Sequence, residues 1–275
     1  MRVAIIGAAG KMGSWFALYF AGCGHDVVAY DVRPFSAKIA RSKSVAECVR
    51  DADLAMVCVP VRNTPGSICQ CVGTMKPGSI IAEISSVKSK TFPALRKAPA
   101  NIDVLCIHPM FGPGASEKKQ LKVLLVPVRD MRHEARIARG LFENMTVKAL
   151  PDARTHDRAI AAVLGLTYFV NVAFAGLMSK EKLQTLKDVG GTTFGIQSML
   201  AESVMTDESE LIITLLRDNP YSAKYFKQYL KGVQELVKMV HHGKLEERLK
   251  KTKSGLQKQQ DLQASYKRMY EMIDK

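Results

Sequence analysis

The 275-residue sequence has no cysteine after Cys106, no arginine between Arg158 and Arg217, and no strand-like run after Pro151. Its six cysteines (23, 48, 58, 69, 71 and 106) do not read as a disulfide framework. Cys58 and Cys106 lie inside apolar runs, and the set is expected to be reduced, mostly buried thiols of a cytoplasmic protein. Cys69 and Cys71 lack the second Cys/His pair that a zinc site needs. The start, MRVAIIGAAGKMG, turns glycine-rich after six residues, which does not match a secretion signal. Long uncharged runs are scarce as well. The exception, residues 159–178, would be long enough to span a membrane. It carries Thr167, Asn171 and two glycines, however, and a helix apolar all round serves equally as the core of a helical domain or dimer. The expectation is a homodimer and no membrane.

Acidic residues are also under-represented: 26 Asp and Glu against 40 Lys and Arg leave a net charge of +14. Residues 221–275 hold 13 basic and 6 acidic residues, so +7 lies there. Phe226, Leu230, Val233, Val237 and Val240 recur at helical spacing in that segment, which places many of its lysines on solvated helix faces. No aromatic-studded basic strand accompanies them, and no nucleic-acid partner is expected.

What is present is an alternation. Strand-like runs at 2–6, 26–30, 54–59, 79–84, 104–107, 122–127 and 146–150 are separated by helical patterns such as 12–23 and 132–143. Several runs are apolar throughout, as in parallel strands covered on both faces. This predicts an α/β class: a doubly wound parallel sheet over 1–151, then an all-helical domain over 152–275.

Three stretches carry chemistry. VAIIGAAGKMGSWFA (3–17) is a strand, a G-x-x-G-x-x-G turn and a helix start. The glycines permit close backbone approach to a pyrophosphate, and the helix N-terminus faces that anion. Gly7, Ala8, Gly10, Lys11, Met12 and Gly13 are the expected cofactor loop. Asp31 ends the second strand, where a carboxylate accepts hydrogen bonds from ribose hydroxyls and repels a 2′-phosphate, favouring NAD. Arg33, Lys38 and Arg41 follow and leave NADP open. The ends of later strands line the same crevice, bringing Val59, Pro60, Ser85, Ser86, Lys88 and His108 toward the nicotinamide. His108 opens the rigid loop HPMFGPG, with no Asp, Glu, Cys or His at ligand spacing nearby. No metal is expected, and an acid/base role suits a group titrating near neutrality.

GAAGKMGSWFA (7–17), SSVKS (85–89), HPMFGPG (108–114) and the helix start THDRAIAAVLGL (155–166) occur in this order, and with them the chain resembles the prephenate dehydrogenase family. The resemblance implies a Rossmann domain binding NAD(P) and an all-helical dimerisation domain. It implies a small-molecule substrate in tyrosine biosynthesis: prephenate converted to 4-hydroxyphenylpyruvate with loss of CO₂, or arogenate to tyrosine. His108 matches the catalytic histidine, and Ser86 the serine that bonds it and the substrate hydroxyl. Two positions depart from the pattern. A second histidine facing the substrate is replaced by Tyr168. No arginine stands ready for a substrate carboxylate in the later helices, where Gly195, Gln197, Glu202 and Ser203 occur. Lys88, Arg154 and Arg158 are the expected substitutes. The alternatives are a dehydrogenase of this fold acting on another cyclic or hydroxy acid, and a non-catalytic nucleotide-binding protein.

Overall fold

The computed structural model describes residues 1–35, 38–116, 120–243 and 245–273, without the side chains at 242, 272 and 273. In the first half the strands are β1 (Arg2–Ile6), β2 (Asp26–Tyr30), β3 (Ala40–Arg41), β4 (Leu54–Val57), β5 (Ile80–Glu83), β6 (Asp103–Pro109), β7 (Leu121–Val126) and β8 (Met145–Ala149). They form one sheet in the order β3-β2-β1-β4-β5-β6-β7-β8. Strands buried on both faces need cover on both sides, and helices supply it. One face packs on α1 (Lys11–Gly22) through Trp15, Phe16 and Phe20. The other packs on α2 (Val45–Val49), α3 (Thr64–Val72) and α4 (Lys88–Arg96) through Val49, Ile68 and Leu95. Helix α5 (Met131–Leu141), capped by Asp130, joins the α1 face through Ala135 and Ala138.

The register sets the level at which the chain leaves the sheet. Ile6 lies opposite both Tyr30 and Val57, so Gly7, Asp31 and Cys58 emerge side by side. All pairs are parallel except β6 with β7. The segment between these two strands holds no crossover helix among its described residues, and the chain returns as a hairpin, so β7 departs from the expected all-parallel sheet. The same hairpin lengthens β6. The apolar run suggests an end at Ile107, but His108 pairs with Leu124 and Pro109 with Val123. His108 is therefore held in the ladder and not in the loop.

The second half is helical: α6 (Ala153–Ile160), a π-helical turn Ala161–Leu166, α7 (Thr167–Met178), α8 (Leu183–Val189), α9 (Thr192–Met205), α10 (Ser209–Ile213), a π-helical turn Thr214–Asp218, α11 (Ser222–His242), α12 (Leu245–Gln257) and α13 (Leu262–Ile273). The first three run on as a single 26-residue helix, Ala153–Met178, long and apolar enough to cross a membrane. Its most apolar stretch is only 22% buried within the single chain. Gly165 is required where this helix meets α11, because a Cβ there would stand 2.8 Å from Ser222 Oγ. Phe169 stacks on Phe226 with ring centroids 4.3 Å apart, fixing α7 against α11.

Candidate active site

The glycine loop is shaped by what its backbone must approach. Gly7 has φ +97°, a region that side chains rarely enter, and a Cβ on it would lie 2.7 Å from the Cys58 carbonyl. A Cβ on Gly13 would lie 2.1 Å from the Gly7 carbonyl. Gly10 caps α1 with no side chain, so the first amides of the helix keep their donors for a ligand anion. These residues fit a dinucleotide pyrophosphate. Asp31 is buried and braces the loop: one oxygen accepts from the Ala9 N–H at 2.9 Å, the other from the Arg33 N–H at 2.8 Å. The Arg33 guanidinium stays 3.7 Å away and mostly exposed. Ala8 is buried, and Met12 packs partly into the core beneath the loop. Lys11 reaches across to the helical half, donating to the Thr206 carbonyl at 2.8 Å. Arg62 makes a second bridge, to Glu210 at 2.9 Å. The two halves thus meet over the loop.

Strand ends β4 and β5 are tied by a hydroxyl chain. Ser85 Oγ donates to Thr64 Oγ1 at 3.3 Å, and Thr64 Oγ1 donates to the Val59 and Pro60 carbonyls. Ser85 is thereby a brace beside the loop and not a free substrate ligand. Ser86 is half-buried and makes no side-chain hydrogen bond among the described residues, so the expected bond from Ser86 to His108 is replaced by another partner.

That partner is His156. His108 is 4% exposed, and its Nδ1 lies 3.0 Å from His156 Nε2. His156 Nδ1 in turn lies 2.8 Å from Asp157 Oδ1. Asp157 also accepts the Lys88 and Ser89 N–H groups at 2.7 and 2.8 Å, seating its charge on the N-terminus of α4. Asn219 Nδ2 donates to the Asp157 carbonyl at 2.8 Å. Burial raises the Asp157 carboxyl, but the bonds from His156 and the α4 backbone outweigh it and hold the group below the usual range. Burial lowers His156 more than its bond to Asp157 raises it. For His108, burial, then the neighbouring His156 and Lys88, push the pKa well below 6.5. Both rings are therefore neutral at pH 7 and Asp157 is ionised. The bonding pattern assigns the protons: His156 donates from Nδ1 to the carboxylate, its Nε2 accepts from His108 Nδ1–H, and His108 Nε2 is left with its lone pair. Nε2 has no hydrogen-bond partner among the described residues, and it is not sealed from solvent. A histidine with its tautomer fixed from behind and a lone pair at Nε2 has what a general base needs.

Lys88 corrects the expectation of a cleft cation. It is fully buried, its ammonium 2.6 Å from Glu83 Oε1 and bonded to the Ile107 carbonyl. Glu83 also accepts the Ser85 N–H and the Cys106 thiol. A glutamate inside an apolar parallel strand must be paired; that was the sequence signal for this ion pair, as the HD pair at 156–157 was for the relay. Arg154 and Arg158 are likewise elsewhere, lining a cleft against α11. Tyr168 packs against the cluster of Leu124, Ile160 and Leu215 and donates to Asp207 Oδ2 at 2.6 Å. Burial, reinforced by that carboxylate, raises its pKa and keeps it a neutral donor. In the region of the missing arginine, Gln197 donates to Asn171 Oδ1 at 2.9 Å, and Glu202 pairs with Lys187.

Residues 17–149 match the model of the prephenate dehydrogenase nucleotide-binding domain. A protein of Methanocaldococcus jannaschii named probable arogenate/prephenate dehydrogenase is 24% identical over 197 residues, 66% of this chain and 43% of that one. The 4-amino-4-deoxyprephenate dehydrogenase of Streptomyces pristinaespiralis is 25% identical over 185 residues, 63% of this chain and 62% of that one. The chain thus spans about half the length of these curated relatives. Its fold is similar to that of prephenate dehydrogenase from A. aeolicus solved with hydroxyphenyl propionate and NAD+, with TM-score 0.64 and 18% identity over 94% of this chain and 98% of that one. Over residues 17–149 the chain is thus similar to the nucleotide-binding domain of prephenate dehydrogenases, and its whole fold is similar to theirs.

Proposed function

We propose that this chain is an NAD(P)-dependent dehydrogenase that oxidises and decarboxylates a cyclohexadienol acid, prephenate or arogenate, in the route to tyrosine. The observation that carries the reading is the His108–His156–Asp157 relay, which leaves a lone pair on a buried histidine in the half that carries the glycine loop. The bound nicotinamide supplies the hydride acceptor. His108 Nε2 takes the proton of the ring hydroxyl as its carbon becomes a carbonyl carbon. His156 and Asp157 hold the His108 ring in that tautomer and orientation. Loss of CO₂ leaves its electron pair in the ring, which becomes an aromatic phenolate and takes the proton back from His108.

A specific observation favours arogenate over prephenate. No arginine stands between residues 158 and 217, and Tyr168, where the resemblance puts a histidine facing the substrate, donates to the Asp207 carboxylate. A carboxylate at that place suits a substrate whose side chain carries an ammonium, and penalises a second bare carboxylate. Asp31 supports NAD as cofactor, with Arg33 beside it leaving NADP in the comparison. Six free cysteines, the buried ones held protonated by burial, support a cytoplasmic protein. The largely uncovered helix Ala153–Met178 supports a homodimer through the helical half.

The test is purified protein with NAD+ or NADP+ and each acid in turn, read by absorbance of the reduced nicotinamide. Turnover of arogenate above prephenate is expected. No turnover of either, with cofactor still bound, would leave the family fold with a different substrate.

A further inference from the structure

Helix α6 has two working faces. At about 100° per residue, Arg154 and Arg158 lie within about 40° of each other and about 160° from His156. His156 and Asp157 face β6 and α4, while Arg154, Thr155 and Arg158 face Tyr221, Lys224 and Tyr225 at the start of α11. Between them is a cleft of about 420 Å³, within the size range of small-molecule sites. Three cations line it and no carboxylate does. The nearby acid Asp152 is occupied in capping α6 through the Thr155 N–H at 2.6 Å, and Asp218 pairs with Arg217. Arg154 donates to the Tyr221 hydroxyl at 3.4 Å and feels the Asp152 carboxylate, whereas the Arg158 and Lys224 side chains have no hydrogen-bond or ion-pair partner among the described residues.

We propose that this cleft binds a small oxyanion of two or more charges, a phosphate ester or a polycarboxylate, apart from the nucleotide site. Like charges gathered in one concavity repel each other, and a multivalent anion removes that repulsion while filling the guanidinium donors bidentately. The hydroxyls of Tyr221 and Tyr225 add neutral donors for the remaining oxygens. Helix α11, 21 residues long and without a side-chain cap, directs its positive end to the same place.

Isothermal titration of the NAD+-saturated full chain with pyrophosphate, and separately with citrate, tests this at constant ionic strength in chloride. NAD+ occupies the glycine loop, so that loop cannot account for the heat. Saturable binding at one equivalent per chain is expected, tighter for pyrophosphate if the ligand is a phosphate ester and for citrate if it is a polycarboxylate. R158Q and K224Q should each weaken it at least tenfold, and R158E/K224E should abolish it with NAD+ affinity unchanged. Absence of saturable binding, or equal binding by R158Q, K224Q and wild type, overturns the proposal. The neutral variants decide the matter if the charge-reversed one does not fold.

Discussion

The two halves of the chain place their apolar side chains differently. In the sheet half, residues such as Ile5 and Phe16 on one face of the sheet and Ile68 and Leu95 on the other are fully buried, in two separate clusters. In the helical half the buried apolar residues are Ile160, Ala161, Ala201, Val204 and Leu215, while Val163, Leu177, Met199 and Val237 stand half-exposed or more. Polar groups follow the same division. The sheet half encloses the Glu83–Lys88 pair completely, whereas Lys187–Glu202 and Arg62–Glu210 are exposed. One half closes its own core; the other presents surface that a second copy would cover. The relay crosses between them, with His108 on the sheet and His156–Asp157 on the first long helix.

The largest expected effect lies at that crossing. His108→Asn should lower kcat by about 10²–10⁴, the contribution of a positioned general base. NAD(P) affinity should stay nearly unchanged, since the glycine loop is separate. Turnover at the wild-type rate in this variant would remove His108 from the reaction.

Next is the contrast between ion pairs. Lys88→Met strands Glu83 as an unpaired buried charge and should cost about 3–5 kcal/mol of stability. Lys187→Met, on the helical half, should shift the melting temperature little, because its partner is solvated. Equal losses in a melting experiment would erase the distinction between the halves. Ala173→Asp probes the other side of the comparison. Ala173 is exposed in the single chain, so a monomer would tolerate the charge. Sedimentation should instead show a dimer for the wild type and its dissociation for the variant; a wild-type monomer at micromolar concentration removes the homodimer.

The relay also sets a pH dependence. His108 and His156 have pKa values below 6.5 when folded, so the unfolded chain binds more protons as pH falls past about 6.5. Their contribution to stability is complete above that value and is lost progressively below it. The urea midpoint should therefore fall between about pH 7.5 and about pH 5.5. His156→Asn should flatten that fall and move the acid limb of kcat/KM upward, because one cause of the lowered His108 pKa is gone. An unchanged limb would mean that burial alone sets the base.

The legibility of the molecule follows the range of the interactions. β1 and β2 coincide with the apolar runs at 2–6 and 26–30, because a strand covered on both faces leaves a local pattern. The glycine spacing marks the loop in part for the same reason, since Gly10 and Gly13 answer to the Gly7 carbonyl nearby in the chain, whereas Gly7 answers to Cys58 on the neighbouring strand end. Lys88 was misplaced because its partner is fixed by the sheet: nothing local distinguishes a lysine after a strand end that turns inward from one that faces a ligand. The position of His108 inside β6 depends on a hairpin with β7, which the local sequence does not announce. Its partner His156 is 48 residues away, on the far side of a domain change.

The smallest effect concerns the rim of the sheet half, at Asp31. Its carboxylate already accepts two backbone N–H groups, from Ala9 and Arg33, so bracing the loop is one role it certainly fills. Each oxygen keeps a further lone pair that a ribose hydroxyl can use. Asp31→Ser separates the two roles, because a hydroxyl can accept one of the N–H bonds but brings no charge. If the carboxylate only braces the loop, NAD+ and NADP+ should lose kcat/KM equally. If it also meets the ribose, the loss should fall on NAD+, while NADP+ gains from the missing repulsion and from Arg33, whose guanidinium no longer has a carboxylate 3.7 Å away. A shift of about tenfold in the NAD+/NADP+ ratio of kcat/KM is expected, the scale of one charged hydrogen bond. An unchanged ratio reduces Asp31 to a brace and leaves cofactor choice to other residues.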